Sequence, residues 1–195
     1  MSDLLDKDYW DERYRASQTG WDIGYVSTPL KEYIDQLTNK QARILIPGGG
    51  NSHEAAYLLV QGFSDVTVVD ISSEVTATLQ EKYASRGLKA MCGDFFNHSG
   101  QYDLILEQTF FCALDPSLRS LYVQKMNELL VSNGKLAGLL FNRPFEGGPP
   151  FGGSVEEYKG LFDNYFELRR MDEAYNSIPR RQGSEVFFIA LPKGK

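Results

Sequence analysis

The fold is decided by residues 44–54, which read ILIPGGGNSHE. Three branched apolar residues predict a short buried strand, and the glycines that follow predict a tight turn. Ser52 is a typical N-cap residue, so we expect a helix over about residues 52–61, ended by Gly62. A strand, a glycine-rich turn and a helix in this order are typical of a βα unit in an open α/β sheet.

The alternation of strands and helices continues downstream. Further strands are predicted at residues 66–69, 88–92, 104–106 and 136–141, with helices at 72–86 and 115–133. We expect Ser72 to cap the first of these helices and Gly134 to stop the second. A short helix with a Ser154–Glu157 capping box follows, and the β-rich runs 165–171 and 185–191 come last. This order predicts a mostly parallel sheet with helices on both faces and an antiparallel pair at one edge.

The segment upstream of the glycine turn is predicted to be helical and aromatic. Thr28 as N-cap and Pro29 at the first helical position begin a helix with one apolar face. Trp21 lies in a loop between Gly20 and Gly24. A chain of 195 residues is expected to form one domain, residues 1–195, with 1–40 as an N-terminal lid segment.

Composition and charge narrow the possible partners. Lys and Arg total 20 against 26 Asp and Glu, so the net charge is −6, and no basic cluster favours nucleic acid. No signal-peptide pattern and no apolar run near the ~20 residues of a membrane span is present, so no membrane partner is expected. Two cysteines, Cys92 and Cys112, favour a cytoplasmic location over a disulfide framework. No His, Cys and carboxylate cluster has metal-ligand spacing, so no metal is expected.

Asp70 and the glycine turn together predict a ligand. Asp70 ends the second strand, about 20 residues after the turn, where a carboxylate accepts hydrogen bonds from ribose hydroxyls. Gly48 and Gly50 fit the first two glycines of a dinucleotide fingerprint, but His53 takes the place of the third. An adenosine-type ligand without a pyrophosphate therefore fits better than a dinucleotide.

Two further strand ends contribute candidate residues. Asp94 and Phe95 follow the third strand, where a carboxylate and a ring would bind and pack an adenine. One of Phe95 and Phe96 is expected in the core instead. Glu107 ends the fourth strand, and either faces a cationic sulfonium or ammonium group or is a solvated strand end.

Motifs along nearly the whole chain resemble those of a known family. They include FFCALDP at residues 110–116 and GGPP at 147–150. The others are residues 10–24, 28–30, 45–50, 69–72, 93–96 and 178–181, with His53, Arg119 and Tyr122. In this order they resemble the thiopurine S-methyltransferase family, and within it the branch of thiol and halide methyltransferases.

This resemblance implies a Rossmann-like, seven-stranded sheet and an S-adenosylmethionine-dependent methyltransferase that needs no metal. S-adenosylhomocysteine is the implied product, and the acceptor is a small soft nucleophile such as a thiol, a thiopurine-like compound or a halide. The implied cofactor contacts are Trp10, Tyr14, Trp21, Gly48, Asp70, Asp94, Phe95 and Glu107. Arg119 is expected to position the substrate, and the N-terminal segment to close over the site.

Two alternatives to a methyltransferase stay open at this level. A non-catalytic protein that binds an adenosine cofactor would keep the glycine turn and Asp70. A small NAD-type oxidoreductase is disfavoured by His53 and by the lack of a second mononucleotide-binding half. Trp10 and Trp21 either anchor helices on the core or cover the cofactor; we expect the second, because Trp21 is flanked by loop glycines.

Overall fold

The computed structural model describes residues 5–195, so residues 1–4 of the predicted lid segment lie outside the described residues. The strands are Ile44–Pro47 (β1), Val66–Asp70 (β2), Leu88–Cys92 (β3), Tyr102–Gln108 (β4), Leu130–Phe141 (β5), Phe166–Glu173 (β6) and Glu185–Pro192 (β7). They form one seven-stranded sheet in the order β3-β2-β1-β4-β5-β7-β6.

The sheet is mostly parallel, as the sequence predicts. Neighbouring strands from β3 to β5 pair in parallel, and β7 pairs antiparallel with both β5 and β6. The predicted antiparallel pair therefore lies at one edge, with the reversed strand β7 inside it and β6 outermost. This arrangement is the Rossmann-like sheet that the resemblance implies.

Helices cover both faces of the sheet. They are Lys7–Arg15 (α1), Thr28–Asp35 (α2), His53–Val60 (α3), Ser73–Tyr83 (α4), Arg119–Leu129 (α5) and Val155–Phe162 (α6). Because side chains alternate along a strand, Leu45 packs with α5 and α6 on one face, whereas Ile44 and Ile46 pack with α2, α3 and α4 on the other. Among the helices of residues 5–195, none is both long and apolar enough to cross a bilayer.

Several predicted boundaries are wrong. Helix α2 begins at Thr28, so Ser27 holds the N-cap position, and the Thr28 hydroxyl donates instead to the Asn176 carbonyl. Helix α5 ends at Leu129, before Gly134, and β5 begins at once. A Cβ at Gly134 would lie 3.0 Å from the Tyr102 carbonyl oxygen, so this glycine serves the irregular pairing of β4 and β5 rather than a helix end.

Candidate functional site

A cavity of about 1220 Å³ opens at the carboxyl ends of β1 to β5. Parallel strands present their carboxyl ends at the same edge of a sheet, where open α/β folds bind ligands. Seven of the nine predicted site residues line this cavity, namely Trp10, Tyr14, Trp21, Gly48, Asp70, Asp94 and Phe95. Typical small-molecule sites measure ~300–1,000 Å³, so this cavity has room for two reactants side by side.

The glycine turn after β1 forms one wall of the cavity. Gly48 and Gly50 have φ values of 54° and 52°, in the left-handed region that favours glycine. A Cβ on Gly48 would lie 2.1 Å from the ring of Phe110, and one on Gly50 would lie 2.5 Å from the hydroxyl oxygen of Tyr14. Both glycines are therefore required by backbone conformation and by close approach.

Asp70 ties the glycine turn to the next helix. Its Oδ2 accepts a hydrogen bond from the Gly50 amide at 2.9 Å, and its Oδ1 accepts one from the Ser72 amide at 2.8 Å. The residue is only 8% exposed, and this burial raises the pKa of its carboxyl group. Asp70 lines the cavity, and each carboxylate oxygen accepts one backbone hydrogen bond, so each keeps acceptor capacity of the kind that a ribose diol requires.

Ser52 offers an unsatisfied hydroxyl beside the turn. Its Oγ is buried, has no hydrogen-bond partner among residues 5–195, and belongs to a residue that lines the cavity. A buried polar group left unpaired costs ~1–3 kcal/mol, which a polar ligand group at this position would remove. Ser52 is the predicted N-cap of α3, but with a φ of 47° its side chain makes no cap hydrogen bond.

Aromatic rings of the N-terminal segment, the predicted lid, line the cavity. Trp10 and Trp21 meet edge to face with ring centroids 5.5 Å apart, and Tyr14 meets Trp21 in the same way at 5.9 Å. Such pairs contribute ~0.5–1.5 kcal/mol beyond the area that they bury. The three rings thus form one connected cluster on the cavity wall, to which α1 and the following loop both contribute.

Polar contacts fasten the lid loop on two sides. Asp22 accepts hydrogen bonds from the side chain of Asn51 and from Nε2 of His53, the latter at 2.7 Å, at the start of α3. The carbonyl of Trp21 accepts a hydrogen bond from Nη2 of Arg181 at 2.8 Å, just before β7. His53 is therefore engaged with the lid, in a region where the sequence suggested only a helix start.

The residues after β3 divide their roles. Asp94 caps the short helical turn Phe95–Asn97 by accepting a hydrogen bond from the Phe96 amide at 2.9 Å. Phe95 is 4% exposed, and its ring centroid lies 5.1 Å from that of Phe110. Of Phe95 and Phe96, Phe95 is therefore the core residue. Both phenylalanines nevertheless present surface to the cavity.

Glu107 does not reach the cavity, contrary to both sequence-based expectations. It has no exposed surface; its Oε1 accepts hydrogen bonds from the Phe110 and Phe111 amides at 2.8 and 3.0 Å. Its Oε2 accepts a hydrogen bond from the Tyr122 hydroxyl at 2.6 Å. Burial raises the pKa of Glu107 to about 7 despite these donors. Glu107 thus shapes the turn after β4, where Thr109 adopts a φ of 60°.

Arg119, which was expected to position the substrate, also lies outside the cavity. It is buried, forms an ion pair with Glu157, and donates from Nη2 to the Gly152 carbonyl at 2.7 Å. Its guanidinium lies over the ring of Phe111, 4.8 Å from the centroid. Arg119 therefore connects α5 to α6 and to the end of the glycine- and proline-rich loop that faces the cavity.

Other arginines occupy the cavity wall that was expected for Arg119. Arg181 is buried and paired with Glu185 at 3.3 Å, whereas Arg143 and Arg180 are exposed at the mouth. Within residues 5–195, neither of these two makes an ion pair with a carboxylate; we call them the basic rim. The sequence did indicate that these arginines matter, since residues 178–181 belong to the family motifs. It did not indicate which arginine faces the cavity.

Comparison with known proteins decides the family. The family model described as thiopurine S-methyltransferase (TPMT) matches residues 5–190. The chain belongs to the thiopurine S-methyltransferase family. It is therefore an S-adenosylmethionine-dependent methyltransferase, as the resemblance implied.

Relatives and solved structures agree with this assignment. A probable thiol methyltransferase 2 of Arabidopsis thaliana is 29% identical over 186 residues, which cover 90% of this chain and 81% of that protein. A thiopurine S-methyltransferase of Pseudomonas syringae pv. tomato is 30% identical over 74% of this chain and 75% of its own length. The fold is similar to that of a Burkholderia thailandensis 1,6-didemethyltoxoflavin-N1-methyltransferase, with a TM-score of 0.76, 18% identity, and coverage of 96% of this chain and 87% of that one.

The position of Glu107 generates a prediction about stability and pH. Glu107→Ala leaves two amides and the Tyr122 hydroxyl unpaired, so the free energy of unfolding should fall by about 3 kcal/mol or more. Glu107→Gln keeps an oxygen for the amides and an amide group for Tyr122, so it should fold well. Urea denaturation of both variants at one pH measures the difference.

The same pair of proteins tests the raised pKa. Since the folded-state pKa of about 7 exceeds the ordinary value of 4.5, the stability that Glu107 contributes is fully present below pH 4.5 and is lost as pH rises through 7. Glu107→Gln cannot ionise, so its free energy of unfolding should gain on that of the parent between pH 5 and pH 8. Parallel pH curves for parent and variant would contradict the buried, proton-binding role.

The contacts of Arg119 predict a structural effect of its removal. Arg119→Ala should lower the free energy of unfolding by about 1–3 kcal/mol, because the Gly152 carbonyl and Glu157 lose their partner. Glu157→Ala should cause part of the same loss, and the double variant should lose less than the sum. Urea denaturation measures all three. An Arg119→Ala protein of parental stability with a raised KM for the acceptor would instead restore a substrate-facing role.

Proposed function

We propose that this chain transfers the methyl group of S-adenosylmethionine to a small soft nucleophile, foremost a thiolate, by in-line displacement. The observation that carries the proposal is the single cavity in which a nucleoside-type end and a basic rim meet. Such a cavity would hold both reactants next to each other. Orientation of this kind lowers reaction barriers by up to ~7–11 kcal/mol in favourable cases.

The residues of the glycine-turn end fit the cofactor. Asp70 would accept hydrogen bonds from the ribose hydroxyls, and Asp94 is the acceptor next to the adenine end. Ser52 has the unsatisfied buried hydroxyl that a polar group of the cofactor would pair. When bound, S-adenosylmethionine supplies a methyl group on a cationic sulfur. The rings of Trp10 and Trp21 would attract that charge by ~0.5–2 kcal/mol.

The opposite end of the cavity suits an anionic acceptor. The basic rim, Arg143 and Arg180, carries positive charge that is not paired with a carboxylate within residues 5–195. Phe141 and Phe145 lie beside it on the cavity wall and add apolar surface. A positively charged mouth raises the local concentration of anions and speeds their entry. We assign to this end the acceptor role that the sequence gave to Arg119.

Within residues 5–195, the structure provides no activated base or nucleophile at this end. Cys112 lines the cavity, but burial raises the pKa of its thiol to about 12, so it stays protonated. His53 is hydrogen-bonded to Asp22 in the lid. We therefore infer that a thiol acceptor reacts in its own ionised form.

The two cysteines are free thiols, which supports a cytoplasmic location as part of the proposal.

The proposal predicts how methyl transfer depends on pH. With methyl-labelled cofactor, kcat/KM for a thiol should rise with pH and level off near the pKa of that thiol, ~8.5 for a cysteine-like compound. A thiol of lower pKa should level off at correspondingly lower pH. Iodide has no proton to lose, so its profile should be nearly flat if it is accepted.

Two outcomes contradict this proposal. If thiols of different pKa all level off near ~6.5, the ordinary histidine value, an enzyme base takes part, and His53→Asn should then abolish that dependence. If S-adenosylhomocysteine binds but no thiol, thiopurine, halide or metalloid anion is methylated, the chain is a non-catalytic cofactor-binding protein. A reaction mixture without enzyme is the control for spontaneous methylation at high pH.

A further inference from the structure

Asp11, on the lid helix α1, is a carboxylate with no exposed surface. Its Oδ1 accepts a hydrogen bond from the Ser72 hydroxyl at 2.6 Å, and its Oδ2 accepts one from the Ser73 hydroxyl at 3.0 Å. Nζ of Lys7, one turn earlier on α1, contacts Oδ2 at 2.6 Å. Carboxylates are almost never fully buried unless they are paired. The burial of Asp11 is possible because these three side chains donate hydrogen bonds to it.

The two serine donors of Asp11 lie at the N-terminus of α4. A negative charge is stabilised there by the helix dipole and by the first free amides, and the Glu74 amide lies 3.4 Å from Oδ1. Although burial alone would raise the pKa of Asp11, the hydrogen bonds from Lys7 and the two serines leave it well below its ordinary value. Asp11 is therefore ionised throughout the neutral pH range, and the contact between α1 and α4 is charge-assisted.

The neighbours of Asp11 on α1 face the cavity. Trp10 precedes it and meets Trp21, while Tyr14 lies one turn later with its hydroxyl over Gly50. Helix α1 thus presents its rings to the cavity and its buried carboxylate to α4. The outer ion pair of this helix, Arg15 with Glu74 at 2.6 Å, is solvent-exposed, and pairs of that kind contribute little.

Ser72 connects Asp11 to the ribose carboxylate. Its backbone amide donates to Asp70, and its hydroxyl donates to Asp11 while accepting from the Val75 amide at 3.3 Å. One residue therefore holds both carboxylates, one from the lid and one from the end of β2. A shift of Ser72 moves both carboxylates, and when α1 leaves α4 the Ser72 hydroxyl loses the carboxylate that accepts its hydrogen bond.

We propose that Asp11 is a positioning residue that couples docking of the lid helix α1 to the cofactor end of the cavity through Ser72. It acts through Trp10 and Tyr14, which it holds over the cavity, and touches neither reactant. This inference rests on the proposed function, since it requires that the cofactor binds beneath the lid. Loss of Asp11 should weaken cofactor binding while the acceptor end stays intact.

Asp11→Asn tests this role, and Asp8→Asn is the matched control. Both variants remove one negative charge from α1, but Asp8 is exposed in the first turn. Calorimetry with S-adenosylhomocysteine should give a Kd at least tenfold above the parent for Asp11→Asn, because a hydrogen-bonded charge is lost. Asp8→Asn should stay within about twofold of the parent, in line with the small effects of surface substitutions.

A second readout separates positioning from a purely structural role. At saturating cofactor, the KM of Asp11→Asn for a thiol should stay within about twofold of the parent, while the KM for S-adenosylmethionine rises with the Kd. Amide hydrogen exchange over residues 7–24 should slow on addition of S-adenosylhomocysteine in the parent and slow less in the variant. Ser73→Ala, which removes one donor only, should show the same pattern at about threefold and serves if Asp11→Asn does not fold.

Three results would overturn the inference. One is an Asp11→Asn protein that binds S-adenosylhomocysteine as tightly as the parent, even if its melting temperature falls. Another is an equal rise of the KM values for cofactor and thiol, which would indicate general loosening of the fold. If the parent itself does not bind S-adenosylhomocysteine, the proposed function fails, and the coupling falls with it.

Discussion

The carboxylate of Asp70 is the interaction on which the site depends. By accepting hydrogen bonds from the Gly50 and Ser72 amides, it fixes the glycine turn after β1 against the start of α4. The Gly50 side of this bridge sets the floor over which Tyr14 lies. On the other side, the Ser72 hydroxyl donates a hydrogen bond to Asp11 of helix α1. A single buried charge at the end of β2 therefore organises the turn, the helix and the cover of the cavity.

Much of this arrangement was predictable because it follows from local rules. A strand, a glycine turn and a helix cap are written in consecutive residues, and the carboxyl ends of parallel strands meet at one edge. That is why Gly48, Asp70 and Asp94 could be expected at one site, and the structure brings them to one cavity. The aromatic residues Trp10 and Trp21 could be expected there through the family resemblance and because loop glycines flank Trp21.

The roles of Glu107, Arg119 and Asp11 could not be predicted, because they depend on partners that are distant in sequence. Glu107 lies two residues after Ile105, so the alternation of side chains along β4 directs both to the face that packs on α5. There the Tyr122 hydroxyl donates a hydrogen bond to the Glu107 carboxylate. Arg119 meets Glu157, and Asp11 meets Ser72, across long stretches of chain. An acidic residue on a polar helix gives no local sign that a distant helix end will bury it.

We propose that Asp70 binds the ribose of S-adenosylmethionine. The most direct test is the Kd of S-adenosylhomocysteine for Asp70→Asn, with Asp172→Asn, on the exposed edge strand β6, as control. Asn keeps an oxygen for one backbone amide but cannot accept from both ribose hydroxyls and both amides. We predict a Kd raised about five- to 150-fold, the equivalent of ~1–3 kcal/mol, and no change in the control. An Asp70→Asn protein that is folded and binds as tightly as the parent would contradict the account.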